Sequence, residues 1–414
     1  MRVALSSPVR KGAFLSGCVV LVSACFLLSL QAMVEHRLEA TPTLPNIERA
    51  ARVQPLNADH EAMLGLVLMQ TGDFNAAKAH LERAVAIDPY SARVWLMLAD
   101  AYEVLGNDER RGSAVRNAIT AEPKDTQVQW QAANLFLSTD LDRSLQLLRG
   151  VVENDPAAAQ AAMQVAYRAT NGNVDKAMLA IPLETQSRLQ FMRWLLDHHQ
   201  DEPADRVWPT LLRAPGPFEA REAFFYLDSL VARHQPAQAF AAWTELAQRD
   251  SRLRSDLQCG NLISNGDFEG DLLNGGFGWR YIPTTGVSAS LDTSTFHSGT
   301  RSLALQIDGE DLQDFGFSQQ VKVDSGVRYH LSAWLHAEDL QAAFGVRVAL
   351  SDAYSHKQLS LSDEALGSFP WREVDADFTA PANTELVALS LVRSPSSGRI
   401  RGKLWLDDVR IEKQ

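Results

Sequence analysis

The sequence predicts a multidomain chain of three parts: an N-terminal transmembrane helix, an all-α solenoid of helical hairpins, and an all-β sandwich. Three observations predict it. Residues 13–34 form an apolar run behind basic residues. Residues 58–125 state one pattern twice at a spacing of 34. At Cys259-Gly260 the texture changes from Ala, Leu, Gln and Arg at helical spacing to Gly, Ser, Asp and Thr clusters between short alternating stretches, which is the change from a period near 3.6 to a period of two.

The apolar run has roughly the length of a bilayer-crossing helix. Arg2, Arg10 and Lys11 precede it and Glu35 follows. Positive charge stays on the cytosolic side, so residues 1–12 are expected as a cytosolic tail, 13–34 as the anchor, and the bulk of the chain as periplasmic or extracellular. Two other readings stay open. One is a cleaved signal peptide with a small-residue site ending near Ala32. The other is lipid attachment at Cys18 or Cys25, within Leu15-Ser16-Gly17-Cys18 and Val22-Ser23-Ala24-Cys25. All three readings export the rest of the chain. They leave Cys259 alone outside, as a buried small hydrophobe or a thiol able to link two chains, so the exported part is expected to hold neither an intrachain disulfide nor a zinc cluster.

With 414 residues, 46% apolar and 22% charged, the chain has the composition of two or three globular domains. Its formal charge of -12 and lack of a Lys/Arg run argue against a nucleic-acid partner.

After a juxtamembrane linker at 35–57, with a turn at Pro42 and Pro45, the repeat begins. Leu64, Gly72, Ala84 and Pro89 recur as Leu98, Gly106, Ala118 and Pro123, and Gly65 and Leu68 are answered by Ala99 and Tyr102. Small residues at the eighth position let antiparallel helices approach, and proline closes the second helix. Phe74, Ala77, Leu81 and Ala84 supply the inner stripe of the first unit's second helix. A third unit runs from about Thr126 to Pro156 with Trp130, Ala133, Phe136, Leu148 and Val151. A fourth keeps Gly172 and Ala177, but Ile181-Pro182 cuts its second helix early. Two further hairpins follow from the echo of Ala204, Trp208 and Leu211 in Ala239, Trp243 and Leu246. The pattern resembles the tetratricopeptide repeat over residues 58–256, strongly in the first two units. The resemblance implies a concave surface that docks a protein partner and carries no chemistry of its own, with a break or change of curvature near Pro182 or Pro215 to Pro217.

The part from 261 to 414 has about eight to ten alternating stretches, among them 302–307, 317–323, 328–336, 345–351, 373–378, 386–392 and 403–412, which read as a sandwich. Asn261-Leu262-Ile263-Ser264-Asn265-Gly266-Asp267-Phe268-Glu269, then Trp279, His297-Ser298-Gly299-Thr300-Arg301-Ser302-Leu303, Tyr329-His330-Leu331-Ser332-Ala333-Trp334, Phe378-Thr379-Ala380-Pro381 and Trp405-Leu406-Asp407-Asp408-Val409 stand in order. This looks like a jelly-roll module of the galactose-binding-like superfamily, similar to carbohydrate-binding modules of families four and nine.

A saccharide site needs flat aromatic faces beside polar groups. With Tyr329, Leu331, Ala333 and Leu335 inward, His330, Ser332, Trp334 and His336 share the outer face, and Arg347 is expected outward on a neighbouring strand. Trp279 and Tyr281, after the Gly-rich 274–278, offer a second location at a loop end. The resemblance also implies a structural calcium ion on Glu269 and Asp407, helped by Asp267 and backbone carbonyls near Ser298. The domain's 21 acidic and 13 basic residues, net -8, favour a neutral over a strongly anionic polysaccharide.

No catalytic arrangement emerges. His198-His199 sit on one helix and point about 100° apart, and Asp407-Asp408 face opposite sides of a strand, so they cannot flank one glycosidic bond. The expectation is a non-enzyme: an anchored, exported binding protein whose repeats dock a protein and whose sandwich holds a saccharide, in envelope polysaccharide synthesis or export. A protein-protein scaffold with a structural sandwich, and an accessory subunit or divergent hydrolase of cell-wall sugar, are the alternatives.

Overall fold

The computed structural model describes residues 8–39, 44–250, 252–253 and 260–414. Pro42, expected in a turn, and Cys259, expected as a buried small hydrophobe or a linking thiol, lie outside them. Helix α1 (Pro8–Glu39) covers the expected anchor and is followed by α2 (Leu44–Val53). Among the described residues, no helix is long and apolar enough to cross a membrane, so the transmembrane helix expected over 13–34 is not found there. Of that run, the side chains of residues 13, 30, 31 and 34 lie outside the described ones.

Four helical hairpins follow. They pair α3 (Ala58–Thr71) with α4 (Phe74–Ile87), α5 (Ala92–Val104) with α6 (Asp108–Ala121), α7 (Thr126–Phe136) with α8 (Leu141–Asn154), and α9 (Pro156–Ala169) with α10 (Val174–Ala177). Three of the turns inside them use one device. Gly72, Gly106 and Gly172 take φ of +84°, +66° and +77°, the left-handed conformation that glycine adopts without cost. The next residue, Asp73, Asn107 or Asn173, then accepts the backbone N–H of Ala76, Arg110 or Lys176 and caps the second helix. Asp140 caps α8 in the same way, on Arg143.

The repeat also appears in the joints between hairpins. Trp95 Nε1 donates to the Pro89 carbonyl at 2.9 Å, and 34 residues on, Gln129 Nε2 donates to that of Pro123 at 2.8 Å. Leu64, Ala77, Leu81 and Ala84 are buried, as are Leu98, Ala99, Tyr102 and Ala118, while Phe74 is half-buried. A Cβ at Gly65 would lie 2.5 Å from Leu81 Cγ, so the close approach of α3 and α4 requires the missing side chain.

The chain divides into two compact units, 1–182 and 183–414. The first ends where α10 stops after four residues and gives way to a 3-10 turn, Met178–Ala180. Ile181 is extended there (φ -98°, ψ 124°), as a residue before proline prefers.

The second unit starts with two hairpins, α11 (Thr185–Asp197) with α12 (Asp201–Leu212) and α13 (Phe224–Ala232) with α14 (Pro236–Arg249). Ala204, Trp208, Leu211, Ala239, Trp243 and Leu246 are all buried. The sandwich follows, built from β1 (Arg280–Tyr281), β2 (Val287–Asp292), β3 (Ser302–Glu310), β4 (Asp314–Lys322), β5 (Arg328–Gln341), β6 (Arg347–Asp352), β7 (Gln358–Leu361), β8 (Gly367–Thr379), β9 (Leu386–Val392) and β10 (Arg399–Lys413). One sheet has the order β1-β4-β9-β6-β7 and the other β2-β3-β10-β5-β8, with antiparallel pairing throughout. Phe315, Phe317, Leu335, Leu350, Leu389 and Leu406, buried between the sheets, are part of one core.

Helices and sandwich meet within this unit. Phe277 packs edge-on against Phe240 (5.3 Å between centroids) and near Trp243 (6.1 Å). A Cβ at Gly275 would lie 2.5 Å from Phe224 Cδ2, and one at Gly276 2.5 Å from Trp243 Cζ3. Arg280 pairs with Asp228 at 2.7 Å, and the Tyr354 hydroxyl donates to the Val231 carbonyl at 3.1 Å. The Gly-rich stretch 274–278 is a seat for α13 and α14.

Candidate functional site

Strand β5 alternates as its sequence requires: Tyr329, Leu331, Ala333 and Leu335 are buried, and His330, Ser332, Trp334 and His336 are half-buried on the other face. It lies between β10 and β8, and the registers bring Trp334 opposite Glu373, His330 opposite Asp377 and Glu412, and His336 opposite Trp405. Of these, His330, Trp334, Glu373 and Glu412 line an open cleft of about 490 Å³ whose walls also include His297, Ser332 and Arg410.

A chain of rings starts at its wall and runs on across the sheet. His297, on the loop between β2 and β3, lies flat against Trp334 (3.8 Å between centroids, 13° between planes) and 5.7 Å from Trp371 on β8. Trp371 lies 5.6 Å from His336, which lies 4.9 Å from Trp405 on β10. The polar half holds two histidine–carboxylate pairs, His297 Nδ1 with Asp408 Oδ2 at 2.6 Å and His330 Nδ1 with Asp377 Oδ1 at 2.8 Å. The hydrogen bonds of His330 and Arg328 hold the Asp377 carboxyl below its ordinary range.

Asp407 holds the loop that carries His297. Its Oδ2 accepts the backbone N–H of His297 (2.8 Å) and of Ser298 (3.1 Å), and its Oδ1 that of Asp408 (2.8 Å). Burial pushes its pKa up to about 6, against those N–H groups, which favour the charged form. The β-bulge after Asp407 and the positive φ of Asp408 (+45°) turn the second carboxylate out to the cleft while the first stays buried.

Several expected residues lie elsewhere. Trp279 is 1% exposed, stacks on Phe268 and Phe317 and donates Nε1–H to the Asn265 carbonyl, so it presents no face to a ligand. Tyr281 donates its hydroxyl to the Val287 carbonyl and sits on β1, in the other sheet. Arg347 is also in the other sheet, because after β5 the chain crosses the sandwich and β6 pairs with β9 and β7. Its Nη1 donates to the Ser362 carbonyl. Of the six residues proposed for saccharide binding, His330, Trp334 and His336 share one face, and His297, Trp371, Trp405, Glu373, Asp408 and Arg410 join them. The odd-numbered alternation of Trp371, Glu373, Asp375 and Asp377 was the available signal for β8.

The residues assigned to calcium do not fit a hard cation as they stand. Asp407 receives three N–H donors. Glu269 Oε1 accepts from the N–H groups of Thr300 (2.6 Å) and Arg301 (3.1 Å), and Oε2 from the Thr300 hydroxyl (2.6 Å). Partial burial acts to raise the Glu269 pKa, and these bonds outweigh it and leave the group below its usual value. Asp267 Oδ1 accepts the Glu269 N–H. These oxygens face donors where a calcium shell needs converging acceptors, and among the described residues no group of three or more His, Cys, Asp or Glu is placed to hold a metal.

A helical-repeat part followed by a jelly-roll-like sandwich with an aromatic outer face defines a protein assembled from binding modules. The comparisons agree at that level. Residues 68–110 match the tetratricopeptide repeat, and residues 260–397 match a carbohydrate binding domain family that joins types 4 and 9. Similar solved structures include a CBM4 module (16% identity, covering 37% of this chain and 99% of that one, TM-score 0.29). A MamA protein is similar at 14% identity, covering 42% and 93%, with a TM-score of 0.32. TmCBM61, solved with β-1,4-galactotriose, is similar at 22% identity, covering 37% and 99%, with a TM-score of 0.26. No curated protein matches the chain.

Proposed function

We propose that this chain is an exported, membrane-anchored binding protein, not an enzyme, whose repeats dock a protein partner while the outer face of β5, β8 and β10 holds a saccharide that is not strongly anionic. The role we assign it is in making, exporting or retaining an envelope polysaccharide. The observation that carries the reading is the cleft beside Trp334: a ring system for the apolar face of a pyranose, next to His330, Ser332, Glu373 and Arg410 for its hydroxyls. Anchoring draws support from α1, whose described apolar side chains Phe14, Leu15, Val19 to Val22 and Phe26 to Leu28 are exposed in the isolated chain.

The test is a glycan array probed with the full-length protein in detergent, beside reporter fusions placed after Val34. Binding to a polysaccharide fragment and an exported reporter are the expected results. A blank array, or a cytosolic reporter, contradicts the reading.

One observation favours a second reading, a protein-protein scaffold whose sandwich is structural. His297 already covers a face of Trp334, and Trp405 is 4% exposed with its Nε1–H on Asp292. A blank array together with partner capture dependent on the repeats would select this reading.

A further inference from the structure

The charges in the cleft do not balance. Asp408 is engaged by His297 at 2.6 Å, and Glu412 lies 3.9 Å from the Arg410 guanidinium. Across the strands, His330 is matched by Asp377 at 2.8 Å. The Glu373 side chain has no hydrogen-bond or ion-pair partner among the described residues. It stands directly opposite Trp334 in the β5–β8 register and borders the same cleft.

Three carboxylates against one guanidinium line this cleft, in a domain of net charge -8, so the local field repels uronic acids and attracts cations. An ammonium group placed there gains twice. It pairs with Glu373 in a charge-assisted hydrogen bond, and it meets an indole, the aromatic ring that attracts cations best. A hydroxyl or an N-acetyl N–H at the same carbon can donate to the carboxylate but carries no charge, so it gains neither the ion pair nor the attraction to the indole face.

We propose that the cleft selects a saccharide bearing free amino groups, with Glu373 as its specificity-determining residue. This inference rests on the saccharide reading of the same cleft. It names the sugar's chemistry: a partly or fully deacetylated amino sugar polymer.

The experiment titrates the full-length protein in detergent with three β-1,4-linked oligomers of equal length that differ only at C2: chitosan, chitin and cellulose fragments. The chitosan fragment is expected to bind about tenfold more tightly than the other two, an advantage that shrinks as salt rises. Glu373→Gln should bring the three to within about twofold of one another, with circular dichroism unchanged because the side chain is exposed. Equal affinities in the wild type, or a chitosan preference that survives Glu373→Gln, overturn the inference and leave the saccharide reading standing. If no oligomer binds while another neutral glycan on the array does, the inference also falls. If nothing on the array binds, both fall.

Discussion

Asp407 shows how one buried carboxylate ties the site to the fold. It is fully buried and clamps the 297–298 loop, and its folded pKa of about 6 lies above the ordinary 3.8. Folding therefore favours its protonated form. Its contribution to stability is full below about pH 4 and is lost as pH rises through about 6. Asp407→Asn should flatten that part of the melting-temperature profile, and an unchanged slope between those pH values would refute the assignment. Asp352 has the opposite sign. Burial acts to raise its pKa, but the Ser355 and Tyr354 backbone groups and the Ser355 and Thr384 hydroxyls lower it to about 2. Its contribution is full above about pH 4 and is lost as pH falls through 2, so Asp352→Asn should lower the melting temperature at neutral pH and shallow the acid transition. At this scale the site was half legible. The alternation of β5 gave the outward set of His330, Trp334 and His336, because a period of two survives in any strand. Trp279 misled because a lone tryptophan after a Gly-rich stretch reads the same whether it stacks on a sugar or on Phe317.

Among the elements, the helical hairpins were the most legible, because their turn chemistry is local. Gly72 and Gly106 need a left-handed backbone, and the residues after them cap the next helix. Leu81, fully buried against Gly65, should cost about 2–5 kcal/mol when cut to Ala, measured by urea unfolding; a loss under about 1 kcal/mol would mean that α3 and α4 do not pack as described. Sheet neighbours were much less legible. Strand order depends on contacts far apart in sequence, and the assumption that consecutive strands lie side by side failed at β5 and β6, which belong to different sheets. The stretch 274–278 carries its own test. Gly276 has φ +56° and faces Trp243, so Gly276→Val should lower the melting temperature of the second unit by several degrees, and a neutral result would remove the seat proposed for α13 and α14.

Across the whole molecule, the compact division at Pro182 and the change of texture at Cys259 fall at different places. Helical periodicity tells which residues form hairpins; it does not tell which hairpins share a core with the strands that follow. Phe277 against both Phe240 and Trp243, with the Arg280–Asp228 pair, joins α13 and α14 to the sandwich, and α11 to α14 and the sandwich fall in one compact unit. A fragment of residues 183–414 is therefore expected to unfold in one cooperative transition with native-like near-ultraviolet circular dichroism. A fragment of 261–414 exposes Phe277 and should be less stable or aggregate. Equal stability of the two fragments would separate helices from sandwich.

The central claim is that a saccharide is held on the outer face of β5, β8 and β10, at Trp334 and Trp371. Calorimetric titration of the full-length protein with a glycan it retains, repeated for Trp334→Ala and Trp371→Ala, tests this most directly. Each substitution is expected to weaken binding about tenfold or more without changing the far-ultraviolet spectrum; affinity unchanged in both variants would place the ligand elsewhere and contradict the account.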